Sequence, residues 1–323
     1  MTSVLTRFEN NPIVRPSDIA FAKATGAFNP AAIVDHRTDQ VAIFVRVYEG
    51  DSGRSCLALA LSRDGIHIDS ISATPQIGRE EPYEEWGVED ARITFLAAEA
   101  RYAITYTGYS ALGPRVCLIT TDDILDPRRY VRHGPRIDGD NKNTVLFPEK
   151  IGGRYAFLHR PMPTMVLAYV DALEDAWPSS GTVVLGPVAG SWRSSRVGAG
   201  APPLLTRLGW LLPFHGATTF DEGNVYAMGW LVLAADDPSR VLYVSPTPAL
   251  APEAPYEIVA GPIPQVNMDY FKTGVRVVFA EGMVERGDEL LVYYGAGDVS
   301  VGGARVDKSA LLDHLEREIR GAR

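Results

Sequence analysis

With 323 residues, 46% hydrophobic and 22% charged, the chain has the composition of a soluble globular protein and enough length to bury a large core. Its formal charge of −9 excludes the basic face that a nucleic-acid phosphate track needs, so no nucleic-acid partner is expected. No apolar run approaches a membrane span, no basic-plus-apolar leader opens the chain, and Cys56 and Cys117 lie in apolar runs without Cys/His metal spacing. The expectation is a cytoplasmic protein with no membrane contact, no metal and no cofactor.

Taken in order, one pattern recurs: an apolar strand, a short polar or glycine turn, and a second strand rich in aromatic and β-branched residues. The copies are Ala31–Asp35 with Val41–Val47, Ala91–Leu96 with Tyr102–Thr107, Thr144–Pro148 with Tyr155–His159, Pro203–Thr206 with Trp210–His215, and Val275–Phe279 with Glu289–Tyr294. Alternation and turn chemistry read as antiparallel hairpins. A hairpin with outer strands every ~50–60 residues is the signature of propeller blades around a central channel. The last interval is longer and holds the Pro-rich stretch from Pro246 to Pro264, read as a surface excursion. The expected fold is therefore all-β: a single five-bladed β-propeller domain over residues 1–323. A short C-terminal helix is expected over Ser309–Arg320, where Leu311, Leu312, Leu315 and Ile319 make one apolar stripe. That helix is compatible with a homo-oligomer.

The stretch Gly87-Val-Glu-Asp-Ala-Arg-Ile-Thr places Glu89, Asp90 and Arg92 against an apolar strand. If the strand starts near Ala91, Asp90 stands at its mouth beside a fixed cation, where a carboxyl group can do acid–base work. In a propeller the innermost strands line the channel, so residues just before them converge. Those residues are Asn29, Asp90, Lys142 with Asn143, and Gly198–Gly200. The returning strands end in Arg46, Tyr109, His159-Arg160, His215 and Asp298, so polar groups gather at one end of apolar hairpins, as a functional pocket requires. His36, His67, His133 and His314 read as surface or turn residues, and His159 either as a satisfied strand histidine or as a site group.

The segments Gly26-Ala-Phe-Asn-Pro-Ala, Gly87-Val-Glu-Asp-Ala-Arg, Asn141-Lys-Asn, Leu146-Phe-Pro-Glu-Lys-Ile-Gly-Gly-Arg-Tyr, Leu158-His-Arg-Pro, Gly200-Ala-Pro-Pro, Gly209-Trp-Leu-Leu, Phe214-His-Gly and Tyr293-Tyr-Gly-Ala-Gly-Asp together resemble glycoside hydrolase family 130. That family holds inverting β-mannoside phosphorylases and some β-mannosidases on a five-bladed propeller. The resemblance implies that Asp90 is the general acid, protonating the glycosidic oxygen through a sugar hydroxyl. It implies that Asn29, Arg46 and Asp298 contact the mannosyl unit, with Arg92 and Tyr109 also assigned to the substrate. Lys142, Asn143, Arg160 and His215 are then the site for inorganic phosphate, the co-substrate beside a β-mannoside. Inverting displacement needs one acid and an attacker on the opposite face. Phosphate is already a nucleophile, so the protein supplies positive charge in place of a second carboxylate base.

Two departures lean toward hydrolysis. Many family phosphorylases carry Lys in the Pro-Pro-x-Lys-Thr segment, where this chain has Leu205, so one cation is missing unless Arg207 or Arg196 replaces it. Glu281 follows Phe279-Ala where a small or apolar residue is common, and is the alternative base if the enzyme is a β-mannosidase. The retained Lys142, Arg160 and His215 favour phosphorolysis. A carbohydrate-binding propeller without turnover would have no use for Asp90. A calcium-dependent arabinanase- or invertase-like enzyme would need an early channel-mouth aspartate, and none is found.

Overall fold

The computed structural model describes residues 4–50, 52–220, 223–260 and 274–321. Among these the chain is all-β, apart from short 3-10 turns and one α-helix, Lys308–Gly321. The first antiparallel meander runs Ala24–Val34, Val41–Glu49, Arg54–Ser62 and Ser70–Ile71. The second runs Gly87–Leu96, Arg101–Ser110, Gly113–Thr121 and Val131–Pro135, and touches the first through one parallel pair, Ser55 with Gly87. A third, Lys142–Leu146, Tyr155–Arg160, Met165–Val170 and Thr182–Leu185, is a sheet of its own.

The fourth runs Arg196–Ala199, Gly209–Phe220, Gly223–Leu233 and Val241–Val244. It meets the fifth, Gly274–Arg286, Glu289–Ala296 and Ser300–Asp307, where Asn224–Tyr226 pair in parallel with Val275–Val277. The outermost strand of the fifth comes from the other end of the chain: Thr6 and Arg7 pair with Arg305 and Ala304.

These strands are buried on both faces, which is why they read as near-continuous apolar runs. The core is split into layers between consecutive meanders. Phe44 and Leu57 of the first pack with Ile93 and Tyr102 of the second, and Leu118 of the second with Phe157 of the third. Leu158 of the third packs with Leu212 of the fourth, and Leu211 of the fourth with Val292 of the fifth. Leu291 and Tyr293 of the fifth then pack with Ile43 and Val45 of the first, so the last layer returns to the beginning.

A repeated clasp ties two outer strands. Pro82–Glu84 and Pro255–Glu257 both form a 3-10 turn reading Pro-Tyr-Glu. Glu257 accepts the backbone N–H groups of Glu253 and Ala254 at 2.8 and 2.9 Å, the Tyr294 hydroxyl at 2.8 Å and Arg7 Nε at 2.8 Å. Glu84 repeats the set with the N–H groups of Glu80 and Glu81, Tyr106 and Arg132. The Glu257 copy fastens the N-terminal strand to the last meander. Arg7→Ala leaves a fully buried carboxylate short of its cation, and should cost about 2 kcal/mol in urea unfolding. Burial alone would raise the Glu257 carboxyl, but Arg7, the two N–H groups and Tyr294 hold it below its usual value. The clasp therefore stabilises above the ordinary glutamate pKa of ~4.3 and fades as pH falls through the lower folded value.

Four expectations change. The strand of the Asp90 motif begins at Gly87, so Asp90 lies inside it and not before it. The fourth inner strand begins at Arg196; Leu204–Thr206 is its continuation after an interruption at Gly200–Pro203, where Pro202 and Pro203 cannot donate to the ladder. The stretch after Pro246 is pinned in part, since Ala249 donates to the Met228 carbonyl and Leu250 is buried; residues 261–264 lie outside the described ones. The helix extends one residue beyond each expected end, and Leu311, Leu312 and Leu315 are consumed in the layer between fourth and fifth meanders, so its apolar stripe is not free for assembly. No helix among the described residues is long and apolar enough to cross a membrane.

Candidate active site

Every inner strand is broken at the same level. Pairing skips Asn29-Pro30 in the first, Asp90-Ala91 in the second, Asn143-Thr144 in the third and Glu281 in the fifth. In the fourth, Gly200–Pro203 breaks the ladder. Asn29, Asp90 and Asn143 take left-handed φ of 49°, 52° and 57°, and Asp298 takes 54°. Asn and Asp enter that region more easily than other side chains because their short polar groups hydrogen-bond locally. A bulge re-aims a side chain that strict alternation would leave in the sheet.

The bulges bring an acidic cluster together. Asp90 Oδ1 accepts Asn29 Nδ2 at 2.9 Å and Arg46 Nη1 at 3.1 Å. Arg46 Nη2 donates to Glu89 Oε1 at 2.6 Å, and Ser55 Oγ donates to the same oxygen at 3.1 Å. The Arg46 guanidinium lies over the Phe28 and Tyr48 rings, 5.0 and 5.5 Å from their centroids. Burial would raise the Asp90 carboxyl, but Arg46, then Arg92 and Lys142, and the Asn29 amide outweigh it and hold the group below its usual value. Asp298 goes the other way: burial, reinforced by Asp90 and opposed by Arg46, pushes it up to about 6.

Beneath this pair sits Arg92, 1% exposed. Its Nη1 donates to the Asp90 carbonyl at 2.5 Å, its Nε to the Gly200 carbonyl at 3.1 Å, and its Nη2 lies 2.7 Å from Glu281 Oε1. One guanidinium thus ties the second, fourth and fifth inner strands. The Glu281 contact is an ion pair without the alignment of a hydrogen bond. Glu281 is fully buried, and burial lifts its carboxyl well above the usual range against the pull of Arg92.

The second cluster is cationic. Arg160 Nη1 donates to His215 Nε2 at 3.0 Å. The His215 ring is held neutral, well below its usual value, by burial first and then by Arg160, Arg92, Arg196 and Lys142. A neutral ring that accepts at Nε2 carries its proton on Nδ1. That buried Nδ1, Arg160 Nε and both amide atoms of Asn143 have no hydrogen-bond partner among the described residues. Burial, then Arg196 and Arg92, drops Arg160 to about 10, and burial, with Arg160 adding, pulls Lys142 below its usual value. Such buried, unpartnered donors beside cations suit an anion ligand.

Of the residues singled out in the sequence, Asn29, Arg46, Asp90 and Arg92 join in direct contacts, and Arg160 joins His215. Asp298 and Lys142 lie within electrostatic reach of Asp90 and Arg46, Asn143 follows Lys142 on the third inner strand, and Tyr109 lies outward, its ring 5.2 Å edge-on from Trp86. His159 is buried, with Nδ1 2.9 Å from Asn141 Nδ2. Arg207 is on the outside, paired with Asp313 and Glu316 of the helix. Leu205 is 43% exposed in the outer part of its strand, so a lysine there would not stand among the buried cations. Arg196 does: its guanidinium lies 5.3 Å from the Tyr226 ring centroid, donates to Asn224 Oδ1 at 3.3 Å and depresses both Arg160 and His215. Ser55, Tyr48 and Tyr226 were missed; they lie in strand interiors with no motif, and only the pairing reveals them. Among the described residues no group of three or more His, Cys, Asp or Glu is placed to hold a metal.

A family model described as beta-1,4-mannooligosaccharide phosphorylase matches residues 4–317. The chain is 33% identical over 312 residues to a 1,2-beta-oligomannan phosphorylase of Thermoanaerobacter sp. (strain X514), covering 93% of this chain and 96% of that one. It is 27% identical to a beta-1,4-mannooligosaccharide phosphorylase of Ruminococcus albus over 97% of this chain and 91% of that one. It superposes with a TM-score of 0.81 on the Listeria innocua beta-1,2-mannobiose phosphorylase bound to beta-1,2-mannobiose, at 28% identity and over 97% and 99% of the two chains. The chain belongs to glycoside hydrolase family 130.

Proposed function

We propose that this protein is an inverting β-mannoside phosphorylase built as one five-bladed β-propeller over residues 1–323. The series of layers that returns from the fifth meander to the first supports the ring. The observation that carries the function is the set of buried donors at Arg160, His215 and Asn143 that have no hydrogen-bond partner among the described residues, within electrostatic reach of the Asp90 carboxyl. Asp90 acts as general acid, and Asn29, Arg46, Asp298 and Tyr109 hold the sugars. Lys142, Asn143, Arg160 and His215 hold inorganic phosphate, with Arg196 completing the positive charge. A phosphate oxygen forms a bond to the anomeric carbon as the glycosidic C–O bond breaks on the opposite face. The departing oxygen takes a proton that originates on Asp90, relayed through a sugar hydroxyl, and the product is mannose 1-phosphate of inverted configuration.

Arg92 is fully engaged below Asp90, which favours a role in positioning the acid over one in touching sugar. Glu281, sealed against Arg92, is poorly placed to activate water, and this weighs against the hydrolase reading. The 33%-identical 1,2-beta-oligomannan phosphorylase and the superposed mannobiose complex favour a β-1,2 linkage.

The deciding assay incubates the protein with β-1,2-mannobiose and mannotriose, with and without phosphate. Mannose 1-phosphate should accumulate only with phosphate; equal release of free mannose in both would overturn the reading. A Cβ on Gly198 would lie 2.5 Å from His215 Nε2 and 3.3 Å from Arg160 Nη1. Gly198→Ala should therefore raise the phosphate KM roughly tenfold, within the ~1–3 kcal/mol that overpacking costs. The mannoside KM should move far less, as initial rates at varied phosphate would register.

A further inference from the structure

An aromatic run leads outward from the acid. The Arg46 guanidinium, bonded to Asp90, lies over Tyr48. Along the ladder Tyr48 pairs with Ser55, Ser55 with Gly87 and Gly87 with Tyr109, so both tyrosines stand on one level of the sheet. Tyr109 in turn meets Trp86 edge-on at 5.2 Å, and the Trp86 backbone N–H donates to the Tyr109 carbonyl at 2.8 Å. Exposure rises along this run, from buried Asp90 to Trp86 at 40%. Trp177, Trp210 and Trp230 are buried in the core and Trp192 is half-buried with its indole N–H bonded to the Pro246 carbonyl, so Trp86 is the most exposed of the described tryptophans.

Trp86 immediately precedes the strand that carries Asp90, four residues and roughly 13 Å of extended chain before it. That is farther than one hexose reaches from the broken bond. An indole held edge-on by a tyrosine offers an apolar face with a polar rim, the surface on which the CH face of a pyranose packs. We infer that Trp86, held by Tyr109, forms an outer subsite for the second sugar on the leaving-group side, so that this enzyme selects β-mannosides of three or more units over the disaccharide. This rests on the phosphorylase reading above and adds chain-length preference to it.

The test separates the two. In Asp90→Asn protein, which binds without turnover, tryptophan emission is titrated with β-1,2-mannobiose and mannotriose. Mannotriose should bind at least several-fold more tightly and shift the emission, and in Asp90→Asn/Trp86→Ala both the shift and the preference should vanish. Trp86→Phe should retain part of the preference, because it keeps a stacking face. In the active enzyme, Trp86→Ala should lower the ratio of kcat/KM for mannotriose over mannobiose about tenfold, with the urea midpoint close to that of the parent. Binding of both sugars with equal affinity, or a Trp86→Ala protein that keeps the ratio, overturns the subsite and leaves the phosphorylase standing. Failure of either sugar to bind the Asp90→Asn protein overturns the functional reading and the subsite with it.

Discussion

Replacing Asp90 by Asn is expected to lower kcat by about 10²–10⁴, the usual cost of losing a general acid. The amide matches the carboxyl in shape, and the Asn29 and Arg46 groups that surround it keep most of their contacts. Circular dichroism and the thermal midpoint should therefore stay close to those of the parent while initial rates collapse. Retention of most of the activity would remove Asp90 from its role. The electrostatics add a second, signed expectation. Arg46, Arg92 and Lys142 hold Asp90 ionised in the free protein, which is the wrong state for an acid. Phosphate bound among Lys142, Arg160 and His215 brings negative charge beside the carboxyl, and a like charge favours its protonated form. The alkaline limb of the rate profile should accordingly move to higher pH as phosphate is raised from sub-saturating to saturating. A limb that stays fixed would mean that phosphate does not load the acid.

Arg160→Ala should reduce kcat/KM for phosphate by about 10²–10³, the scale seen when one preorganised donor to developing charge is removed. The loss should fall on phosphate more than on the mannoside, since the Arg160 guanidinium hydrogen-bonds to His215 and not to Asp90, Asn29 or Arg46. Varied-phosphate and varied-mannoside kinetics separate the two constants. Arg160→Lys should recover little, because an ammonium presents a point charge where the guanidinium presents a planar fork. Losses of equal size in both constants would place Arg160 in general folding of the pocket. The neutral His215 ring loses its Nε2 partner in this variant, so its pKa should rise back toward the ordinary range.

Much of this was legible in the sequence because strands buried on both faces must be apolar and must end in turns. That requirement marked the hairpins, and Leu311, Leu312 and Leu315 marked the helix by their spacing. Asn29, Asp90 and Asn143 were visible as polar residues breaking apolar runs at one level of three successive hairpins. Sequence placed them before the strands, since alternation alone has no means of signalling a bulge. Arg196 was only one of two alternatives for a missing cation. Its choice over Arg207 depended on which charge was already neutralised, and Asp313 and Glu316, more than a hundred residues later in the chain, decide that.

By itself, then, the chain determined its all-β class, its hairpins, its Glu89-Asp90 motif and the family to which it belongs, all consequences of local pattern and residue type. Only the tertiary structure decided that Arg92 faces Glu281 and Gly200, that Arg160 sits on a neutral His215, and that Thr6 and Arg7 close onto the last meander. Those are pairings between strands far apart in sequence. Their energies depend on burial and on distances of a few ångströms, which no periodicity along the chain encodes.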